Sequence, residues 1–104
     1  MSAPFLVDLQ TNQIISYINK PISCIGRAIN YCDIVIDDES VSRSHCDIIC
    51  HVDGLCLIRD LNSTNGTSVE NTILKPNEEY PLENRDCIRI GNRTFLFMTE
   101  SDEV

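Results

Sequence analysis

The sequence predicts an all-β protein, a β-sandwich of about ten short strands. Apolar and β-branched residues alternate with polar ones in short runs throughout the 104 residues. Gly, Asn, Asp and Pro residues separate these runs at intervals of about 8 to 12 residues, which is typical of sandwiches. No segment combines helix caps with a sustained helical period, so we expect no helix.

Each predicted strand ends at a recognisable turn. Residues 10–12 separate the first two strands as a hairpin turn, and Pro21 restarts the chain before the third. Asp53 and Gly54 favour a tight connection because both tolerate positive φ. Residues 91–93 connect the last two strands. In chain order, the candidate strands are 5–9, 13–18, 22–25, 33–36, 46–50, 55–58, 68–70, 73–74, 87–90 and 94–98.

The length of the chain, 104 residues, is enough for one domain with one core. We expect a single domain over 1–104, with its core at about 5–99 and an acidic tail or the start of a linker at 100–104. The start at Met1 and this acidic end suggest an N-terminal module of a larger protein.

The net charge of −8 argues against two classes of partner. An acidic surface makes direct binding to nucleic acid unfavourable, because that binding depends on contacts between basic side chains and phosphates. No apolar run approaches the roughly 20 residues that span a bilayer, and residues 1–4 lack the start of a signal peptide. We therefore expect no direct nucleic-acid or membrane partner, and a nuclear or cytosolic protein.

The six cysteines are scattered without a C-x-x-C pair, which favours free thiols packed in the core. The densest cluster, at 45–51, does not fit a metal site. On a strand that rises about 3.3 Å per residue, Cys46 and Cys50 lie roughly 13 Å apart, too far to share a zinc ion. We expect no metal, no cofactor and no disulfide framework. The six cysteines are at positions 24, 32, 46, 50, 56 and 87.

Three polar clusters interrupt the apolar runs. They are Gly26-Arg27, then Val-Ser-Arg-Ser-His at 41–45, then Asp-Leu-Asn-Ser-Thr-Asn-Gly-Thr at 60–67. Two guanidinium groups, a hydroxyl and an Asn side chain in loops suit a phosphate dianion and an extended peptide backbone. This pattern favours a phosphopeptide-binding domain over an enzyme.

These clusters, in this order and spacing, resemble the motifs of the forkhead-associated (FHA) domain. The resemblance runs from about Phe5 to Thr99 and rests on Gly-Arg at 26–27, Ser-Arg-x-His at 42–45 and Ser-Thr-Asn-Gly-Thr at 63–67. It implies an FHA-type β-sandwich of two antiparallel sheets with about ten or eleven short strands. It also implies that loops at one end of the sandwich bind phosphothreonine peptides.

The resemblance implies roles for individual residues in binding the peptide. Arg27 matches the arginine that grips the phosphate, and Ser42 the hydroxyl that donates to a second phosphate oxygen. Arg43 lies where the family often supplies another donor, although an exposed charge near the loop is the alternative. Thr64 matches a hydroxyl or amide that faces the phosphate. Asn65 matches the side chain that bonds the peptide backbone, the alternative being a simple β-turn.

Other positions are expected to support the site or to select its ligand. Gly26 allows a close turn before Arg27, Gly66 is expected at positive φ, and His45 matches an imidazole that braces the binding loops. Ser40 lies where some relatives read the third residue after the phosphothreonine. With Asp38 and Glu39 beside it, an acidic residue at that peptide position should be disfavoured. These three form a candidate specificity loop.

Two functions from different classes remain open, besides an enzyme, for which no nucleophile and base are evident. The first is an adaptor that binds a phosphothreonine-containing protein segment. The second is an FHA-like module for phosphate-independent association or homodimerisation. The resemblance to DNA-damage mediators and mitotic chromosomal proteins implies signalling in DNA-damage or cell-cycle responses and a nuclear location, with the cytosol as the alternative.

Overall fold

A computed structural model describes residues 3–99, and in this part of the chain all regular structure is β. The fold-class prediction is confirmed: eleven strands form two sheets. They are β1 (Phe5–Asp8), β2 (Gln13–Tyr17), β3 (Ile22–Gly26), β4 (Ile34–Val35), β5 (Cys46–Cys50), β6 (Cys56–Asp60), β7 (Thr67–Val69), β8 (Thr72–Ile73), β9 (Glu79–Leu82), β10 (Asp86–Ile90) and β11 (Arg93–Met98). The predicted acidic tail at 100–104 lies outside the described residues.

The two sheets pack face to face. One sheet has six strands in the order β2-β1-β11-β10-β7-β8, and the other has five in the order β4-β3-β5-β6-β9. Their strand pairs are antiparallel, except that the two-residue β4 runs parallel to β3. In β6 and β11, alternate residues point into the core, as the period-two pattern requires. The fully buried side chains include Leu6, Ile25, Ile48, Ile58 and Phe97.

Strand β9 is the one strand of the eleven without a counterpart among the sequence candidates. It contains Pro81, which pairs with Leu57 of β6. Proline has no N–H to donate to a ladder and argues against a central strand. Because β9 forms the edge of the five-stranded sheet, the missing donor costs no hydrogen bond to a further strand.

The cysteines are less deeply buried than the expectation of free thiols packed in the core. Cys46 and Cys56 are buried, whereas the other four are only partly buried. Two pairs of sulfur atoms are in contact: Cys50 with Cys56 at 2.6 Å, and Cys24 with Cys32 at 3.2 Å. The pattern of alternation along single strands does not reveal these contacts, because they depend on the register between neighbouring segments.

Candidate functional site

Strand register brings the three polar clusters to one end of the sandwich. Ile25 of β3 pairs with Cys46 of β5, and Cys46 pairs with Asp60 of β6. Since these neighbours are antiparallel, β3 ends where β5 begins and β6 ends. Gly26-Arg27, the segment up to His45 and the loop after Asp60 therefore emerge side by side.

Between these segments lies an open cavity of about 590 Å³. All five residues predicted to bind a peptide line it, and so do Glu39 and Ser40 of the predicted specificity loop. Asp38, Gly26, His45 and Gly66 are not among the lining residues. The full lining consists of Arg27, Glu39, Ser40, Val41, Ser42, Arg43, Ser44, Thr64 and Asn65.

The two arginines are the positive groups of the cavity. The Nε of Arg27 donates to the carbonyl oxygen of Val41 at 2.9 Å, and its main-chain N–H donates to Ser42 at 3.0 Å. These bonds orient the guanidinium while its terminal nitrogens remain for a ligand. Arg27 and Arg43 are both exposed, and neither has an ion-pair partner among residues 3–99. The cavity thus presents two guanidinium groups without ion-pair partners, and Glu39 is also among its lining residues.

Ser42 and Thr64 join two of the loops. The main-chain N–H of Thr64 donates to Oγ of Ser42 at 3.0 Å. A hydroxyl that accepts one hydrogen bond still has its own proton to donate. Ser42 is therefore held in place by the protein and keeps a donor for a bound oxygen.

His45 is completely buried beneath the site and connects both loops. Its Nδ1 accepts a hydrogen bond from the N–H of Ser42 at 2.9 Å, so Nε2 carries the proton and donates to the carbonyl oxygen of Gly66 at 2.9 Å. Burial lowers the pKa of His45, although the bond to Gly66 and the charge of Asp60 oppose this shift. The neutral imidazole braces the loops.

Asp60 organises the loop at 61–66 and was not among the predicted site residues. Its carboxylate accepts hydrogen bonds from Oγ of Ser63 and Oγ1 of Thr67, both at 2.6 Å, and from the N–H of Ser63. Burial raises the pKa of Asp60, but the bonds from Ser63 and Thr67 outweigh it, and the pKa lies below its usual value. An Asp at the end of an apolar strand, followed by Ser and Thr, was the available signal.

The specificity loop is tied to its neighbours. Nδ2 of Asn65 donates to the carbonyl oxygen of Ser40 at 2.8 Å, which leaves the Asn65 side-chain oxygen as an acceptor. Oγ of Ser40 donates to Asp38 at 2.7 Å and accepts from the N–H of Asn92 at 2.8 Å. The Ser40 hydroxyl is thus used within the loop, and Glu39 is the carboxylate that lines the cavity.

Two glycines are required by the geometry. A Cβ atom at Gly26 would lie 2.2 Å from the carbonyl oxygen of Arg43, so only glycine lets the two segments meet. Gly66 has φ of +87°, the left-handed region that favours glycine, and it directly follows Asn65, which lines the cavity.

Two kinds of feature are absent from residues 3–99: a cluster of metal ligands and a helix long and apolar enough to span a membrane. No three His, Cys, Asp or Glu side chains there are grouped to hold a metal ion. The same residues contain no helix that could cross a bilayer.

Comparisons with known proteins agree with this architecture. The family model for the FHA domain matches residues 24–91. The protein phosphatase 1 regulatory inhibitor subunit PPP1R8 homolog of Arabidopsis thaliana is 34% identical over 73 residues, which are 70% of this chain and 20% of that protein. The chain therefore spans about a fifth of this relative.

Solved structures share the fold over nearly the whole chain. EmbR of Mycobacterium tuberculosis, in complex with a low affinity phosphopeptide, superposes with a TM-score of 0.87 at 27% identity, covering 100% of this chain and 26% of EmbR. An FHA domain studied for its phosphothreonine-dependent interactions superposes with a TM-score of 0.83 at 28% identity, covering 96% of this chain and 99% of that domain. With the family model matched across all three polar clusters, the chain belongs to the FHA domain family.

Proposed function

We propose that this chain is an adaptor domain that binds phosphothreonine-containing protein segments. The observation that carries the proposal is the pair of guanidinium groups, Arg27 and Arg43, without ion-pair partners among residues 3–99, in a polar cavity of a chain with net charge −8. Such a cavity attracts a dianion, and the acidic remainder of the surface repels extended polyanions such as nucleic acid. The phosphopeptide and phosphothreonine partners of the similar structures support the same assignment.

Each cavity residue has a distinct task in this proposal. The terminal nitrogens of Arg27 bind two phosphate oxygens in a bidentate contact, with Arg43 adding charge. The Ser42 hydroxyl donates to a phosphate oxygen, and Thr64 lies beside it. The free oxygen of the Asn65 amide accepts from a peptide N–H next to the phosphorylated residue. These are binding tasks, and we assign no catalytic role.

Glu39 is proposed to bias the choice of peptide. It is exposed and lines the cavity beside Ser40. The nearby Asp38 carboxylate has a lowered pKa because Ser40 donates to it, which keeps it charged. The Glu39 carboxylate, with the Asp38 charge behind Ser40, disfavours an acidic residue where the peptide passes Ser40.

The cellular context is part of the proposal and rests on the resemblance alone. We propose a signalling role in DNA-damage or cell-cycle responses, with nuclear localisation and the cytosol as the alternative. Fluorescent tagging of the natural protein before and after DNA damage would test both points, and a signal that stays cytosolic throughout would contradict them.

Calorimetry with matched peptides tests phosphate-dependent binding. A phosphothreonine peptide should bind at least tenfold more tightly than its unphosphorylated form, since each charged hydrogen bond is worth roughly 1.5–3 kcal/mol. Arg27→Ala should abolish this difference. Arg85→Ala is the matched control and should leave the difference intact. Arg85 directly precedes β10, and it is the opposite end of β10 that reaches the site, through the hydrogen bond from Gly91 to Gly66. Equal affinities for both peptides would contradict the proposal.

Self-association without phosphate is a second candidate, favoured by the outer face of the six-stranded sheet. Phe5 pairs with Tyr17 and Met98, and Val7 pairs with Ile14 and Leu96, so six apolar side chains adjoin on this face. The edge strand β2 carries no charged residue. A charge is a common protection against edge pairing. A second copy placed edge to edge at β2 would extend both sheet and apolar face.

Sedimentation of the purified chain separates this candidate from the first. A dimer that forms without phosphopeptide and is lost in Tyr17→Lys would support it, because Tyr17 is 52% exposed on the outer face. A monomer at all concentrations would exclude it. Arg27→Ala should leave any such dimer intact.

A further inference from the structure

Cys24 and Cys32 lie in contact beside the segment that carries Ser42 and Arg43. Their sulfur atoms are 3.2 Å apart, and both side chains are partly buried. Cys24 is in the middle of β3, and Cys32 belongs to the connection that leads to β4. The main-chain N–H of Asp33 donates to the carbonyl oxygen of Cys24 at 2.9 Å, which holds the two segments together.

The Cys32 thiol also contacts a residue of the cavity. It donates to the carbonyl oxygen of Arg43 at 3.0 Å, and the N–H of Ala28 donates to the same oxygen at 3.2 Å. The Cβ position of Gly26 is only 2.9 Å from the Cys32 sulfur, so the space around it is tightly filled. A displacement of this sulfur therefore acts on the peptide group between Arg43 and Ser44.

We propose that Cys24 and Cys32 form a reversible dithiol–disulfide site that weakens phosphopeptide binding when it is oxidised by a low-molecular-weight disulfide such as glutathione disulfide. The proposal rests on the proposed function for its effect on binding, whereas the disulfide itself forms or does not form independently of any peptide. Closing the bond draws the sulfurs from 3.2 Å to a covalent distance of about 2.05 Å.

The oxidation is an ordinary thiol–disulfide exchange. The Cys32 thiolate attacks one sulfur of glutathione disulfide and displaces a glutathione thiolate, which gives a mixed disulfide. Cys24 then loses its proton to solvent and attacks the Cys32 sulfur, releasing the second glutathione thiolate. Two protein thiols lose two electrons and two protons, and one glutathione disulfide becomes two glutathione molecules.

The order of attack follows from the surroundings of Cys24. Burial raises the pKa of Cys24 to about 12, and its hydrogen bond with Cys32 and the nearby Asp47 and Asp33 carboxylates add to this. Because the thiolate is the nucleophile, a raised pKa makes Cys24 the slower first attacker. It is suited instead to resolving a mixed disulfide that already lies beside it.

Oxidation removes a hydrogen-bond donor from the binding loop. In the disulfide, Cys32 has no S–H for the Arg43 carbonyl oxygen, which then keeps only the bond from Ala28. Ser42, the residue before Arg43, accepts a hydrogen bond from the N–H of Thr64 and lines the cavity. We expect about two- to tenfold weaker phosphopeptide binding, the equivalent of one lost hydrogen bond.

The second thiol pair must be separated from the first in the experiment. Cys50 and Cys56 pair directly across β5 and β6, at the end of these strands away from the cavity. The 104-residue chain with Cys50→Ser is therefore the starting protein, since it keeps Cys24 and Cys32 and loses one member of the other pair.

This protein is equilibrated with glutathione buffers of increasing oxidised fraction, its free thiols are alkylated, and peptides are mapped by mass spectrometry. A Cys24–Cys32 disulfide that reverses on adding reductant is expected. Full alkylation of both thiols, or a mixed disulfide that persists on Cys32, would overturn the proposal.

Titration with a phosphothreonine peptide completes the test. The oxidised Cys50→Ser protein should bind more weakly than the reduced one, while an additional Cys32→Ser change, which removes the attacking thiol, should make affinity insensitive to the oxidant. An unchanged affinity after complete disulfide formation would overturn the coupling to the loop. If the reduced protein fails to bind the peptide, the proposed function fails, and the thiol mapping still decides the redox site.

Discussion

Gly91 and Ser40 approach so closely that a Cβ atom at Gly91 would lie 2.4 Å from the carbonyl oxygen of Ser40. Gly91 also has φ of +59° and donates its N–H to the carbonyl oxygen of Gly66 at 3.1 Å. The turn between β10 and β11 therefore supports both the specificity loop and the loop that carries Asn65. A residue remote in sequence from the three motifs fixes the shape of the cavity.

Gly91→Ala should destabilise the domain and disturb the choice of peptide. The methyl group must displace the Ser40 backbone, in addition to a backbone penalty of about 1 kcal/mol at positive φ. The melting temperature should fall by more than about 4–8 °C. Gly54→Ala is the control, because Gly54 has φ of +95° with nothing within 4 Å of its Cβ position. Equal losses of melting temperature in the two variants would contradict the role of the contact.

Arg27→Ala and His45→Ala should separate binding from stability. Arg27 is exposed, so its removal leaves no cavity and should abolish phosphopeptide binding with little change in melting temperature. His45 is completely buried, and its loss leaves the Ser42 N–H without a partner and the Gly66 carbonyl oxygen with only the bond from Gly91. The unpartnered N–H should cost about 1–3 kcal/mol. Thermal melts alongside peptide titrations measure both, and the reverse pattern would show that the assignments are exchanged.

Asp60→Ala should loosen the loop at 61–66. Its removal leaves the Ser63 and Thr67 hydroxyls without their acceptor, and we expect destabilisation by about 2–4 kcal/mol and weaker peptide binding. Glu78→Ala, at an exposed position, is the control for loss of one negative charge. Chemical denaturation measures the change in the free energy of unfolding. A loss no larger than that of Glu78→Ala would contradict the role of Asp60.

The stability of the domain should fall as the pH drops below 6.5, the ordinary pKa of histidine. Because the folded pKa of His45 is lowered, the unfolded chain takes up a proton at this residue before the folded chain does, and protonation favours unfolding. The contribution of His45 to the free energy of unfolding is complete above pH 6.5. It is lost as the pH falls through the pKa of His45 in the folded chain. Below 3.8, protonation of Asp60, whose pKa is also lowered, should add a further loss.

Urea midpoints measured between about pH 7.5 and 5 test this dependence. The exposed His51 provides the matched variant: His51→Gln should keep the decline, and His45→Gln should reduce it. If the urea midpoint of His45→Gln falls with pH as steeply as that of His51→Gln, the pH dependence belongs to groups other than His45.

The sequence predicted most of the fold because alternation reports directly on which side of a sheet each residue occupies. Ten of the eleven strands correspond to apolar runs, and β9 was missed because Pro81 is a strong signal against a strand wherever the edge position is unknown. The motifs also located the five proposed peptide-binding residues, which line one cavity. Their assigned roles remain predictions.

What escaped the sequence depends on relations between distant segments. Packing between elements produces three features that local pattern does not show. They are the close approach of Gly91 to Ser40, the hydrogen bonds that Asp60 accepts from Ser63 and Thr67, and the contact of Cys24 with Cys32. Local pattern carries no information on such distances. The Cys50–Cys56 contact likewise follows from the β5–β6 register, which is fixed only when the hairpin forms.

The loops of the cavity are tied to one another before any ligand arrives, through the bonds from Thr64 to Ser42 and from Asn65 to Ser40. A peptide that enters meets groups already in position, so little conformational entropy is lost on the protein side. Association should then depend mainly on diffusion and charge attraction, and be similar for related phosphopeptides. Discrimination among them falls to the dissociation step, and the lifetime of each complex becomes the quantity that distinguishes one partner from another.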